Sequence, residues 1–335
     1  MTACIEKILD YIEWTSPSGI ILETLLTIGV VFTLLCYGAF IYHRHTPIIK
    51  ASNRELSYLM LFFLFCCYVG CVAYLGLPGD IVCTVRMFNS IAYTGCIAIL
   101  FVKTQQLVAI FNIKLNTSTI QKKLTRITCQ YLTVFTFVFV HVALVLTTHI
   151  VAPHKVERNT KISTTKTYVQ CIPTSPGLTL STSIYTWILA GVCLYFAFRA
   201  RKLPDNFNEA KFITFALFMY LSVWSIYYPV VFLTHGKVTA LSQAIVIFVS
   251  TTCILLCIFV PKLYIVLMKP EFNTKEAVRR QLRKHAEKEM VCSLEITTST
   301  RDIKANVDAY VTNTETDIRS HIARADEQVE ISGEL

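Results

Sequence analysis

Seven blocks of apolar residues, each near the roughly 20 residues a helix needs to cross a bilayer, constrain this chain more than any other feature. They occupy residues 19–42, 56–75, 87–111, 127–151, 177–198, 212–233 and 238–267. Backbone N–H and C=O groups find no water in hydrocarbon, so isolated segments of this kind must be helices. The third and seventh blocks exceed the hydrocarbon thickness and are expected to tilt or extend beyond it. Composition agrees, with 54% hydrophobic and only 16% charged residues among 335, where a soluble chain carries roughly a quarter charged. The expected fold class is all-α: a seven-transmembrane helix bundle with a disordered cytoplasmic tail. Its parts are an outer stub over 1–18, the bundle over 19–268 and the tail over 269–335.

Lysine and arginine in the short loops set the orientation. One set of loops holds Arg44, Lys50 and Arg54; Lys114, Lys122, Lys123 and Arg126; Arg199, Arg201 and Lys202; then Lys269 and a basic run. The other holds Lys7, Lys155, Arg158, Lys161, Lys166 and Lys237. The richer set is expected in the cytoplasm, which puts the N-terminus outside. The first residues carry Glu6, Asp10 and Glu13 against Lys7, the wrong charge for a cleavable leader. The first block then acts as its own anchor, or natural sequence precedes it.

Most of the 13 cysteines lie inside the apolar blocks, where cysteine packs as a small hydrophobe. Cys83 and Cys171 both flank blocks on the oxidising face, and a bridge between them is expected to clamp the fourth-to-fifth loop over the bundle. Cys4 has no evident partner, and Cys292 falls in the reducing compartment.

Lys103 is the one charge well inside the third block, near its inner end. An unpaired ammonium at mid-membrane costs roughly 3 kcal/mol on insertion scales. It either snorkels to the headgroups or pairs with Glu209 at the start of the sixth block. Glu209 also closes Asn206-x-x-Glu209, a capping box, and the two roles are compatible. Pro204 and Asp205 form the turn before it. The sixth block carries Trp224, Tyr227, Tyr228 and Pro229; the proline is expected to kink the helix, and Trp224 to face the bundle. These aromatics are either ordinary core or part of a bistable element. Lys262, after Pro261, is expected to aim at the headgroups.

In the tail, Asn273 and Glu276 read as a helix start. Val278, Leu282, Ala286 and Met290 then line one face of a short amphipathic helix over about 274–290, with Arg279, Arg280, Arg283 and Lys284 around it. It suits an anionic lipid surface or plain solvent equally. The rest, rich in Thr, Asp, Glu and Ser, is expected to be disordered. Catalytic patterns are missing: no Gly-rich phosphate loop, paired carboxylates or nucleophile elbow. His141 and His149 share a helix at a wider spacing and read as isolated polar residues rather than ligands. No enzyme activity, cofactor, metal site or nucleic-acid partner is expected.

Several stretches resemble class C (family 3) G-protein-coupled receptors, in the calcium-sensing and vomeronasal type-2 branch. They are Trp14 to Pro17, Thr46 to Tyr58, Lys103-Thr104, Arg201 to Phe212, Trp224 to Pro229, and Pro261-Lys262-x-Tyr264. The resemblance runs from about Cys4 to Thr274, with the Cys83-to-Lys103 interval one residue shorter than the family pattern. It implies an inner ionic lock of Lys103 with Glu209, the Cys83–Cys171 bridge and a switch tryptophan at Trp224, with Tyr227 and Pro229 beside it. Phe207 matches a third-loop contact with the G protein, flanked by Arg201, Lys202 and Lys211. A modulator pocket between spans three, five, six and seven is expected near Trp224 and Tyr227.

Family members also carry a large outer ligand-binding domain and a cysteine-rich connector, which ends near Cys4 in this register. The expected function is a plasma-membrane receptor activating heterotrimeric G proteins in chemosensory, nutrient, cation or amino-acid sensing, as a homo- or heterodimer in the bilayer. The alternative is a truncated, non-signalling partner of a full-length receptor. Expected partners are thus a G protein, a second receptor chain, lipid and a small-molecule modulator.

Overall fold

Seven helices long and apolar enough to cross a membrane account for most of the computed structural model. It describes residues 7–112, 127–160, 164–201 and 209–268, all within the first of the chain's two compact units, Met1–Val278. The readings on Cys4, Lys161, Lys202, Pro204, Asp205, Asn206, Phe207 and the tail lie outside the described residues.

The spanning helices are α1 (Pro17–Tyr42), α3 (Arg54–Cys71), α4 (Asp80–Asn112), α5 (Ile127–Val151), α6 (Pro176–Ala200), α7 (Glu209–Leu233) and α8 (Lys237–Met268). A five-residue helix, α2 (Pro47–Ala51), joins the first two, and one 3-10 turn (Val72–Tyr74) ends the second of them, α3. Ser16 caps α1, its Oγ accepting from Gly19 N at 3.1 Å, and Pro17 stands in the first turn where no N–H is needed. α4 begins well before residue 87. Arg86, within these added turns, is drawn inward. Its Nε donates to the Ala73 carbonyl at 2.9 Å, and its guanidinium lies 4.7 Å from the Tyr74 ring centroid.

α4 is the axle of the bundle. Of its most apolar stretch 61% is buried, against 22% in α5. Large apolar side chains such as Ile28, Leu35, Phe135, Phe139 and Leu233 point outward, as a lipid-facing surface requires. Lipid is as apolar as leucine, so association between helices depends on close packing of small residues. Ala190, Cys193, Ala197 and Ala200 accordingly form one buried face of α6 at helical spacing, and Gly29 lets the Tyr68 ring lie against α1.

The helical bundle is as expected. A three-stranded sheet is added to it, with order β1-β3-β2. β2 (His154–Asn159) and β3 (Lys166–Pro173) are antiparallel, with Val156 opposite Cys171. β1 (Ile8–Asp10) runs parallel to β3, Leu9 opposite Thr167. Part of the 1–18 stub is therefore built structure. The Asp10 carboxylate accepts from Lys237 N at 3.1 Å and faces Lys166 Nζ at 3.7 Å. Gly76 N donates to the Ile12 carbonyl at 2.8 Å. Residues 8–12 thus tie together three connections at this end of the bundle. The Cys83–Cys171 disulfide fastens β3 to α4, as expected.

Candidate functional site

At the end of the bundle away from the sheet, three charged side chains converge beneath the α2–α3 turn. The turn is set by Asn53, which takes φ 56° and is the only non-glycine residue with positive φ among those described. Asparagine tolerates this left-handed conformation better than most residues. Its Nδ2 donates to Gln130 Oε1 on α5 at 2.5 Å, which pins the turn to the fourth span. Ser52, the residue ending α2, is left with a carbonyl that has no helical partner.

Lys103 fills that vacancy. Its Nζ donates to the Ser52 carbonyl at 2.7 Å and to Ser57 Oγ at 3.1 Å, and the residue is buried. Ser57 Oγ in turn donates to the Asn53 carbonyl at 3.1 Å. The stretch from Thr46 to Tyr58 is thus a cradle for an ammonium contributed by α4. The lysine neither snorkels outward nor hydrogen-bonds Glu209.

Glu209 binds the other lysine. Lys262 Nζ meets Glu209 Oε1 at 2.6 Å, with side-chain exposures of 7% and 18%. Lys262 was expected at the headgroups. Its position on α8 turns it inward toward the first turn of α7 instead, because the carboxylate there offsets the cost of leaving water. Lys103 remains within electrostatic range of both partners. The direct ion pair therefore joins the sixth and seventh spans, and the third-span lysine is a second, indirect cation. Ser52, Ser57 and Lys262 were missed as members of this cluster. The signals present were Pro261-Lys262 inside a helix and the serines of the first-loop motif.

Deeper in the bundle, Trp224 sits among four tyrosines: Tyr93, Tyr220, Tyr227 and Tyr228, with ring centroids 5.5–6.4 Å away. Tyr93 anchors the group, its hydroxyl donating to the Ile247 carbonyl at 2.6 Å and meeting Ser250 and Thr251 Oγ at 2.8 and 2.6 Å. Beside Trp224 lies a cavity of about 50 Å³ lined by Ser90, Tyr93, Thr186, Trp187, Tyr220 and Tyr228, among others. Spans three, five and six form it. Neither span seven nor Tyr227 lines it. The indole nitrogens of Trp187 and Trp224 are buried with no hydrogen-bond partner among the described residues. Pro229 lies inside α7, one turn from the helix end.

Arg201 and Lys211, expected at a cytoplasmic contact, flank a separate outward-facing groove. What the inner cluster can do chemically is hold α4, α7, α8 and the α2–α3 turn together through ionic and carbonyl contacts.

The family model described as "7 transmembrane sweet-taste receptor of 3 GCPR" matches residues 12–262. The mouse extracellular calcium-sensing receptor is 38% identical over 286 residues, which is 85% of this chain and 26% of that protein. The goldfish (Carassius auratus) G-protein coupled receptor family C group 6 member A is 32% identical over 292 residues, 85% of this chain and 32% of its own length. Its human counterpart is 30% identical over 285 residues, 84% of this chain and 30% of that one. The chain thus spans about a third or less of the curated relatives it matches.

Proposed function

The chain belongs to the class C, or family 3, seven-transmembrane receptors, and from that premise we propose that its bundle is a two-state switch promoting nucleotide exchange on a heterotrimeric G protein. The observation that carries this reading is the Glu209–Lys262 ion pair at 2.6 Å, with Lys103 held close by. A buried pair of this kind stabilises one arrangement of helix ends strongly and the separated arrangement hardly at all. That difference is what a bistable element requires.

In this proposal the sheet face, carrying β1 and the disulfide, is extracellular, in keeping with the loop charges. The ion-pair face is cytoplasmic. Separation of α7 from α8 and α4 would open that face, with Arg201, Lys202, Phe207 and Lys211 meeting the G protein. Trp224 and its tyrosines would couple the small cavity, once widened around a modulator, to the tilt of α7. In this proposal the sensed signal belongs to the nutrient, cation or amino-acid class, a reading supported by a relative named for calcium sensing. Dimerisation with a like chain belongs to the same proposal. No feature of the described residues favours the non-signalling partner over the switch.

The test is nucleotide exchange on a purified heterotrimeric G protein, measured in membranes with and without the full chain. Glu209→Gln should raise basal exchange above the parent chain at matched expression. Exchange that stays at the level of empty membranes for parent and variant alike would sink the proposal.

A further inference from the structure

On the outer side of α6, α7 and α8, toward the ion-pair face, lies a groove of about 980 Å³. Its walls are apolar: Phe198 from α6, Phe215 and Phe218 from α7, and Leu256 from α8, each about half exposed. Gly191 stands at its far end, and a Cβ built there would meet nothing within 4 Å. Its mouth is marked by Arg201 and Lys211, and no carboxylate is among the described lining residues. We propose that this groove holds one anionic membrane phospholipid. Its phosphate lies between Arg201 and Lys211, and an acyl chain runs along the phenylalanines toward Gly191.

Three observations single out that occupant. From Gly191 to Arg201 is ten residues of helix, about 15 Å at 1.5 Å per residue, which matches half of the roughly 30 Å hydrocarbon core. A groove one leaflet deep, apolar inside and cationic at the headgroup level, has the polarity profile of a phospholipid rather than of a free anion. The Arg201 guanidinium lies 5.4 Å from the Phe198 ring centroid, so its side chain is laid along the wall and held at the mouth. A second copy of the chain fits less well. A two-fold contact through this face would bring Arg201 and Lys211 of one protomer toward their own equivalents, with like charges facing each other. Lipid occupancy needs no G protein and no signal, so it stands or falls separately from the switch reading.

The experiment is native mass spectrometry of the full chain released from mixed micelles containing equal phosphatidylserine and phosphatidylcholine. The parent chain should retain one phosphatidylserine with a preference of about thirtyfold, the scale set by two basic groups near an anionic headgroup. Arg201→Gln with Lys211→Gln should bring the preference near unity, while Arg201→Lys with Lys211→Arg should keep it. Gly191→Trp fills the acyl end without touching the charges and should also abolish retention. That variant decides the matter should the glutamine pair fail to fold, as judged by its melting temperature.

The proposal is overturned if the glutamine pair keeps the preference, or if Gly191→Trp retains phosphatidylserine undiminished. It is equally overturned if soluble glycerophosphoserine displaces the lipid at equal concentration, since the site then takes a free anion. Efficient Phe215→Cys cross-linking between copies at any phosphatidylserine level would assign the groove to a second chain and also overturn it.

Discussion

Replacing Glu209 by glutamine removes the only carboxylate among the described residues from a cluster of two buried lysines while keeping the shape of the side chain. Breaking a buried ion pair by neutralising one partner costs about 3–5 kcal/mol, and the 18% exposure of Glu209 argues for the lower end, about 3 kcal/mol. That cost falls only on the closed arrangement, because an opened α7–α8 end exposes both groups to water. At 1.4 kcal/mol per decade, the open-to-closed ratio should rise by about two orders of magnitude. A chain resting at about 1% open would then be about half open. The assay is basal exchange on a heterotrimeric G protein at matched surface expression.

The lysines separate the direct pair from the indirect one. Lys262→Met should raise basal exchange nearly as far as Glu209→Gln. Lys103→Met leaves the 2.6 Å pair intact; it forfeits the bonds to Ser52 and Ser57, while its attraction to Glu209 and repulsion from Lys262 go together, so its rise should stay below about tenfold. Glu209→Lys combined with Lys262→Glu should restore low basal activity more fully than Glu209→Lys combined with Lys103→Glu. Unchanged exchange in Glu209→Gln, or a full rise in Lys103→Met with none in Lys262→Met, would refute the reasoning.

Three further outcomes follow from the sheet end. Cys83→Ser opens a disulfide spanning 88 residues, which should cost about 2–4 kcal/mol and lower the melting temperature, an effect reproduced by reductant in the parent. Gly236 has φ 64°, and a Cβ there would come within 2.5 Å of Asp10 Oδ2 and Tyr168 Cδ1. Gly236→Ala should therefore destabilise by about 1–2 kcal/mol, read as a lower melting temperature, with Gly177→Ala, which meets open space, as control. His154 is held below its ordinary value of 6.5 by burial, and further by His149. The stability it contributes is full above pH 6.5 and is lost as pH falls below that toward the lower folded value. His154→Asn should flatten this part of the melting-temperature profile, and an unchanged slope would contradict the assignment.

The spans were legible because a bilayer imposes a one-dimensional rule on length and polarity that local sequence must satisfy. The Cys83–Cys171 bridge was legible for a related reason, since few cysteines lie outside the spans. The sheet was less so. β1 is three residues long, and its partner β3 lies more than 150 residues away; the alternation that buries Thr167 and Val169 on β3 was the available sign.

The inner cluster divides the same way. Sequence by itself determined that Lys103 and Glu209 sit at one end of a helix bundle and that neither could remain unsatisfied, because an uncompensated charge in hydrocarbon is too costly. Tertiary structure alone decided how each was satisfied. The left-handed turn at Asn53 aims the Ser52 carbonyl at Lys103, and the rotation of α8 about its axis brings Lys262 to Glu209 across 53 residues. The need for a partner is a property of one residue. Which partner answers it depends on helix rotation and crossing, and these are set by packing distributed over the whole bundle.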